Sequence, residues 1–282
     1  MTQQLGEQYQ LKRKLSNDSA GDLKKILEAM KSYKPSKADV EEPPTTTATT
    51  SSGGLESRII TSDDYWTIQN VNYQGKIQSM DLSKELLPRR EFNDLMEYVK
   101  KAKVEDFIAI SMRDTYSLFK AVYESKDKSK EEIRSFLKGS MENNWLKITT
   151  VIQHRLSGKD QIIHDYSLPN QEIINQRFVG PDELVKDSND FELYNHLLGS
   201  KNVNEINEIF NWITGKDLRI YRFNFIKDDF FRVGCLHLSD YSGLFFNNLI
   251  HHNIPSLGVR LHKAGNKISF RKDVDDENWK SF

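Results

Sequence analysis

Three side chains near the middle of the chain, His154, His164 and Asp165, are of types that bind a divalent metal or act as acid and base. A turn signal at 157–160, which contains Gly158, separates His154 from the other two. The runs on either side are rich in β-branched residues and predict two antiparallel strands. We therefore expect the three side chains on one hairpin, where they are the catalytic candidates for a metal-dependent hydrolase or nuclease.

The register of that hairpin decides whether the histidines meet. Counted outward from the turn, Leu156 pairs with Gln161, and His154 then lies opposite Ile163 or His164. Side chains alternate between the two faces of a strand, so His164 and the aspartate after it point to opposite faces. A structural role for the histidines is the alternative to a catalytic one.

Other chemistry-bearing motifs are scarce. The chain contains no GxxxxGK[ST], GxGxxG, GxSxG, HExxH or paired CxxC motif, so we expect no cofactor. His251 and His252 lie in a polar stretch that predicts a solvated loop, and one further metal hypothesis would join His237, His252 and Asp240. The single cysteine, Cys235, excludes an intramolecular disulfide and is expected to be a buried small apolar side chain.

The charge of the chain is segregated. Residues 216–272 carry ten Lys and Arg against four Asp and Glu, whereas residues 56–215 carry 21 basic and 26 acidic residues, and the whole chain has a formal net charge of −1. The basic segment also holds nine of the 26 Phe and Tyr residues. The binding candidates are Arg219, Arg222, Arg232, Arg260, Lys263 and Arg271.

Cations beside aromatic rings are the chemistry that a nucleic acid needs from a sheet, for phosphates and for base stacking. Alternation along the strand places Arg219, Tyr221 and Phe223 on one face, and Ile220 and Arg222 on the other. Because the arginines are divided between two faces, the segment is less suited to be a general nucleic-acid-binding surface. Three hypotheses stay open: a polyanion such as nucleic acid, an acidic protein surface that includes residues 56–215 of this chain or its neighbour, and a solvated sheet.

The N-terminal part predicts a flexible arm at 1–55 that contains one amphipathic helix at about 19–33. Its apolar face is made of Leu23, Ile26, Leu27 and Met30. Residues 34–55 are rich in Pro, Thr, Ser and Gly and predict a disordered linker. We expect the helix to dock on its own domain or a sister subunit, in a groove of a partner, or on a membrane or nucleic acid, with protein contacts favoured over a membrane.

From residue 56 the pattern becomes globular, with helices in the middle and strands at both ends. This arrangement predicts an α+β domain at 56–272 with a mixed or antiparallel sheet, divisible at 215, and an acidic tail at 273–282. The predicted strands are 65–71, 76–80, 107–111, 145–156, 161–166, 218–225, 230–238, 258–262 and 267–272. The predicted helices begin near Phe92, 113, 129, 191 and 203, and Gly199 and Gly215 end the last two.

These observations favour a soluble intracellular protein, cytoplasmic or nuclear, that binds or assembles rather than catalyses. The basic-aromatic segment would contact a polyanion or an acidic protein surface, and the arm would dock. The alternatives are the hydrolase or nuclease centred on the histidines and a structural subunit of a larger particle. Self-association or a protein partner is expected, and nucleic acid is the second class of partner.

Overall fold

The computed structural model describes most of the chain after residue 56. The described residues are 57–73, 75–154, 160–164, 171–173, 178, 180–222, 230–247 and 249–261. The predicted arm with its docking helix, the strand at 267–272 and the acidic tail lie outside them, as do Asp165, Lys263 and Arg271.

The described residues form helices and two sheets, which confirms the α+β prediction. The strands are β1 Ile59–Thr61, β2 Tyr65–Tyr73, β3 Lys76–Arg90, β4 Leu146–His154, β5 Gln161–Ile163, β6 Gln171–Ile173, β7 Glu183–Leu184, β8 Leu218–Tyr221, β9 Phe230–Leu238, β10 Ser242–Asn247 and β11 Ile254–Leu261. The α-helices are α1 Phe92–Lys101, α2 Met112–Glu124, α3 Lys130–Asn143, α4 Phe191–Leu198 and α5 Val203–Thr214, and a short 3-10 helix spans Val185–Asp187.

The first sheet has the strand order β1-β2-β3-β11, and its neighbours run antiparallel. The strands predicted at 65–71 and 76–80 form the β2–β3 hairpin: Tyr73 pairs with Lys76, and Gly75 takes a φ of 79°, which a side chain would disfavour. β3 continues to Arg90, well beyond its predicted end at Met80. Its second half pairs with β11, a partner that its own sequence does not reveal.

The second sheet has the order β6-β5-β4-β9-β10-β8-β7 and is mixed, because β10 runs antiparallel to β9 and parallel to β8. β10 was not predicted as a strand. Its sequence, Ser-Gly-Leu-Phe-Phe-Asn, lacks clear alternation and contains a glycine, which weakens a strand in isolation. Neighbours on both sides stabilise it through their ladders.

The five predicted helices are present, and side-chain caps explain where three of them begin. The Ser111 side chain accepts the Asp114 amide at the start of α2, and Asp190 and Asn202 cap α4 and α5 in the same way. Gly199 and Gly215 end α4 and α5 in the left-handed conformation, as predicted. The helices bury their apolar faces on each other and on the sheets.

Ring contacts show this packing. The rings of Phe119 in α2 and Phe210 in α5 meet edge to face at 5.7 Å. Trp66 of β2, which is 2% exposed, packs against Phe136 of α3. Helix α3 therefore packs on the face of the first sheet that carries Trp66.

Residues 107–111 connect the two sheets. This segment was predicted as a strand, but it forms a single bridge, in which Ile108 and Val259 of β11 exchange both backbone hydrogen bonds. Two residues later, the Ile110 carbonyl accepts the Thr149 amide of β4 in the other sheet. One extended segment therefore fastens an edge strand of the first sheet to a central strand of the second.

The basic segment 216–272 is divided between the sheets. β8, β9 and β10 belong to the second sheet, whereas β11 completes the first. Arg219 and Arg260 consequently lie on different sheets. The described strands of this segment follow one another in the sequence but belong to two different sheets.

A buried lysine also links the sheets. Lys147 of β4 is 1% exposed, and its Nζ donates to the Arg90 carbonyl at 3.0 Å and to the His252 carbonyl at 2.9 Å. These carbonyls lie at the end of β3 and just before β11. Burial lowers the pKa of Lys147 to about 8.

This shift predicts a pH-dependent stability. Between the folded pKa of about 8 and the ordinary value of 10.5, the unfolded chain binds more protons at Lys147 than the folded chain does. The contribution of this group to the free energy of unfolding therefore rises with pH across that window. Urea titrations at a series of pH values should show this rise in the wild type relative to Lys147→Met. Parallel pH profiles for the two proteins would contradict the shifted pKa.

Candidate binding surface

Arg260 on β11 is bound by a carboxylate inside the first sheet. Its Nε donates to Asp81 Oδ2 at 2.9 Å, its Nη2 donates to the same oxygen, and Thr67 Oγ1 donates to Asp81 Oδ1 at 2.7 Å. Asp81 is fully buried, and the guanidinium lies over the rings of Tyr65 and Phe107 at 4.7 and 4.9 Å. This geometry makes Arg260 a part of the sheet rather than a cation offered to a ligand.

Arg222, directly after β8, is bound in the same manner. Its Nη2 donates to Glu183 Oε1 at 2.5 Å and lies 3.5 Å from Asp190 Oδ2. The hydroxyls of Tyr194 and Ser188 also donate to Glu183 Oε1, each at 2.8 Å. Burial, and then the hydrogen bond to Glu183, raise the pKa of the Tyr194 hydroxyl.

Arg232 is half-buried on β9, and its Nη1 donates to the Phe231 carbonyl at 3.1 Å. Burial lowers the pKa of its guanidinium to about 10. Arg219 on β8 is different: it lies 3.9 Å from the centre of the Tyr241 ring and forms no ion pair with any residue that the structure describes.

Three of the carboxylates that bind these arginines, Asp81, Glu183 and Asp190, lie within the acidic part of the chain, residues 56–215. Within the fold, Arg222 and Arg260 therefore pair with carboxylates of residues 56–215. Their charge is neutralised within the fold and is not available to a phosphate backbone.

A row of aromatic rings crosses the second sheet close to Arg219. We call it the aromatic strip; it consists of Trp145, Tyr221, His237 and Phe245. The Tyr221 and Phe245 rings stack at 3.9 Å, Trp145 and Phe245 meet at 4.6 Å, and Trp145 stacks on His237 at 4.8 Å. All four side chains are half-buried.

The backbone register produces this row. On β10, Phe245 pairs with Tyr221 of β8, while Gly243 pairs with Arg219 on one side and with His237 on the other. These side chains therefore share one face, as alternation predicted for Arg219 and Tyr221. The Phe245 ring lies over Gly243, where a β-carbon would collide with it. The glycine thus makes room for the central ring of the strip.

Hydrogen bonds fix the end of the strip. His237 Nδ1 donates to the Met141 carbonyl at 2.9 Å and lies 3.2 Å from the Asn144 carbonyl, both at the end of α3. Ser239, Asp240 and Asn247 are exposed at the ends of β9 and β10. The strip is a rigid apolar centre with polar residues at its border.

The β4–β5 hairpin has a different register from the one that was expected to bring His154 and His164 together. Gln153 pairs with Gln161, so the register of the β4–β5 hairpin differs by three residues from the predicted pairing of Leu156 with Gln161. His154 consequently meets Asp160, with Nδ1 at 2.7 Å from Oδ1, and both side chains are buried. Asp160 is buried and needs hydrogen-bond partners, which it finds in His154 and the Phe178 amide. These contacts favour the observed register over the one with a tighter turn.

His164 lies elsewhere on the hairpin. Its Nδ1 is 3.1 Å from Thr150 Oγ1, and its Nε2 donates to the His196 carbonyl at 2.7 Å. Thr150 is four residues from His154 along β4, a separation of roughly 13 Å in a strand. The two histidines are therefore not brought together.

His251, His252 and Cys235 each make contacts within the fold. His251 lies 3.5 Å from Glu91, while His252 contributes its backbone carbonyl to Lys147. Burial raises the pKa of the Cys235 thiol to about 12, consistent with a buried apolar side chain. Within the described part of the chain, no three His, Cys, Asp or Glu side chains form a group that could hold a metal ion.

No protein-family model, no curated protein and no solved structure matches this chain. None of the described helices is both long and apolar enough to cross a membrane. Interpretation of the surface therefore rests on the chemistry of its own residues.

Sequence reasoning identified Arg219 and the strand of Tyr221, but it missed Trp145, His237 and Phe245 as members of one surface. The sequence feature that could have indicated this surface was the high aromatic content of residues 216–272. Trp145 lies far from that segment in the sequence, and β10 was not recognised as a strand, so their proximity depends on sheet pairing alone.

The Asp81–Arg260 pair predicts a large effect on stability. Arg260→Met leaves a buried carboxylate without its ionic partner, and we expect a loss of about 3 kcal/mol in the free energy of unfolding, measured in urea. Arg134→Met, which removes a half-exposed partner of Glu131, should cost less than about 1 kcal/mol. Equal losses in the two variants would show that burial of Asp81 has no energetic consequence.

Proposed function

We propose that this protein is a non-enzymatic binding protein and that the aromatic strip, with Arg219 and Tyr241 beside it, is the surface that contacts a protein partner. The observation that carries the proposal is the row of four half-buried rings next to an arginine that has no carboxylate partner among the described residues. Trp, Tyr, Phe and Arg are the residue types enriched at the centres of protein interfaces.

A protein partner is favoured over a polyanion because two of the candidate arginines are already paired with carboxylates. Phosphate-backbone binding depends on several unpaired Lys or Arg side chains. Arg222 and Arg260 are held by carboxylates. Among the described residues, Arg219 lies beside the strip without a carboxylate partner, and Lys216 Nζ donates to the Ser239 carbonyl at its border. Base stacking also requires free ring faces. The Tyr221 and Phe245 rings instead cover each other at an interplanar angle of 11°.

The chemistry of the strip also indicates what its partner carries. Rigid aromatic rings bury apolar side chains at low entropic cost, and a guanidinium at their border pairs with a carboxylate. The partner surface that fits best has an Asp or Glu next to apolar residues. Of the three hypotheses for the basic segment, this corresponds to the acidic protein surface, with one acidic side chain making the ionic contact.

A random-peptide display library offered to the full-length protein tests the proposal. We expect the enriched peptides to contain Asp or Glu next to apolar residues. Their affinity should fall at least about tenfold in Arg219→Gln and in Phe245→Ser, since truncation of a central interface residue costs about 2 kcal/mol. Phe191→Ser, which alters a 44% exposed ring on α4 outside the strip, should bind as the wild type does.

Two outcomes would overturn the proposal. One is a selection that enriches nothing, or peptides that bind the strip variants and the wild type equally well. The other is saturable binding of a fluorescent single-stranded oligonucleotide that is lost in Phe245→Ser and weakens steeply with salt. The second result would assign the strip to nucleic acid instead.

A further inference from the structure

An acidic side chain next to apolar residues, the chemistry expected of the partner, also occurs on this protein itself. Asp240 is exposed in the turn between β9 and β10. His237, a member of the aromatic strip, lies three residues before it, and Tyr241 follows it directly. The β9–β10 hairpin therefore carries a ring of the strip and a carboxylate at its border.

Arg219 and Asp240 lie near the same ring of the strip. The pKa of the Tyr221 hydroxyl is raised, mainly by burial. The positive charge of Arg219 lowers this pKa, while the negative charges of Asp182 and Asp240 raise it. Two opposite charges, one on β8 and one in the β9–β10 turn, are therefore close to one hydroxyl at the edge of the strip.

Neither Arg219 nor Asp240 forms an ion pair with any residue that the structure describes. The guanidinium of Arg219 lies over the Tyr241 ring, and its Nε is buried without a hydrogen-bond acceptor among the described residues. A buried donor without an acceptor costs free energy, and a carboxylate that approaches from outside can relieve this cost.

We infer that the partner of the aromatic strip is a second copy of this chain, with Arg219 of each copy paired with Asp240 of the other. The inference rests on the proposed function, because it assigns a partner to the same surface. Two copies related by a two-fold axis use the same patch twice, so a patch with one basic and one acidic side chain is complementary to itself. The axis then lies between Arg219 and Asp240, and the two ion pairs are equivalent.

The rings supply the apolar part of this interface. Aromatic side chains bury large areas on contact, and Tyr221 and Tyr241 lie closest to the two charges. The strip with Arg219, Tyr241 and Asp240 is smaller than the roughly 20–30 residues that each side of a standard interface contributes. We therefore expect a weak dimer, with a dissociation constant on the order of 10 µM.

Sedimentation velocity of the full-length protein over a series of concentrations tests the inference. Arg219→Asp places two carboxylates opposite each other at both ion pairs, and Asp240→Arg places two guanidinium groups there. Each variant should dimerise at least about tenfold more weakly than the wild type, because like charges repel across the interface. An equimolar mixture of the two variants restores opposite charges at both positions and should form a heterodimer.

Asp63→Arg is the matched control. Asp63 is an exposed aspartate in the turn between β1 and β2, as Asp240 is in the turn between β9 and β10. Because it belongs to the first sheet and the strip lies on the second, Asp63→Arg should dimerise as the wild type does. Arg219 is half-buried, and if Arg219→Asp does not fold, the comparison of Asp240→Arg with Asp63→Arg decides alone.

Three results would contradict self-association through the strip. They are a wild type that stays monomeric up to about 1 mM, well above the expected dissociation constant, an Asp240→Arg variant that dimerises as tightly as Asp63→Arg, and a mixture of the two folded variants that stays monomeric. Peptides enriched on the strip of a monomeric protein would then assign the surface to a different protein partner. A monomeric protein whose strip enriches no peptide would overturn both the inference and the proposed function.

Discussion

The fold depends on the connection between its two sheets, to which residues 107–111 and Lys147 contribute directly. Residues 107–111 supply a bridge to β11 through Ile108 and a hydrogen bond to β4 through Ile110. Lys147 adds two hydrogen bonds from β4 to carbonyls that flank the β3–β11 pair. Backbone groups buried between sheets must find partners, and here one short segment and one ammonium group provide them. A charged lysine is costly in this place, which its lowered pKa shows.

This connection determines what the charge segregation of the sequence means. Because β11 belongs to the first sheet and β8 to the second, Arg260 and Arg219 lie on different sheets. Two of the described arginines pair with carboxylates of the acidic part, Arg260 with Asp81 and Arg222 with Glu183 and Asp190. An unequal distribution of charge along a chain is therefore compatible with pairing inside the domain. The surface that remains is aromatic, with a single arginine beside it.

Much of the local structure could be predicted because its causes are local. All five helices were predicted, the one that begins at Phe92 from its amphipathic pattern and the last two with the glycines that end them, and Gly199 and Gly215 take the positive φ angles that such ends require. The pairing of Arg260 with Asp81 could not be predicted, since 179 residues separate them. The β4–β5 register also failed, because a buried His154–Asp160 contact outweighs the preference for a tight turn. Local signals determine elements, whereas distant partners determine registers and sites.

The same distinction explains why the candidate surface was not predicted as a unit. The strip joins Trp145, which directly precedes β4, to rings from three strands of the basic segment. These residues have no characteristic spacing in the sequence. The Phe245 ring is held over Gly243, and His237 is held by the carbonyls at the end of α3. Groups that are fixed before binding lose little entropy on contact with a ligand, so the order of these rings is a better basis for a binding hypothesis than the distribution of charge along the chain.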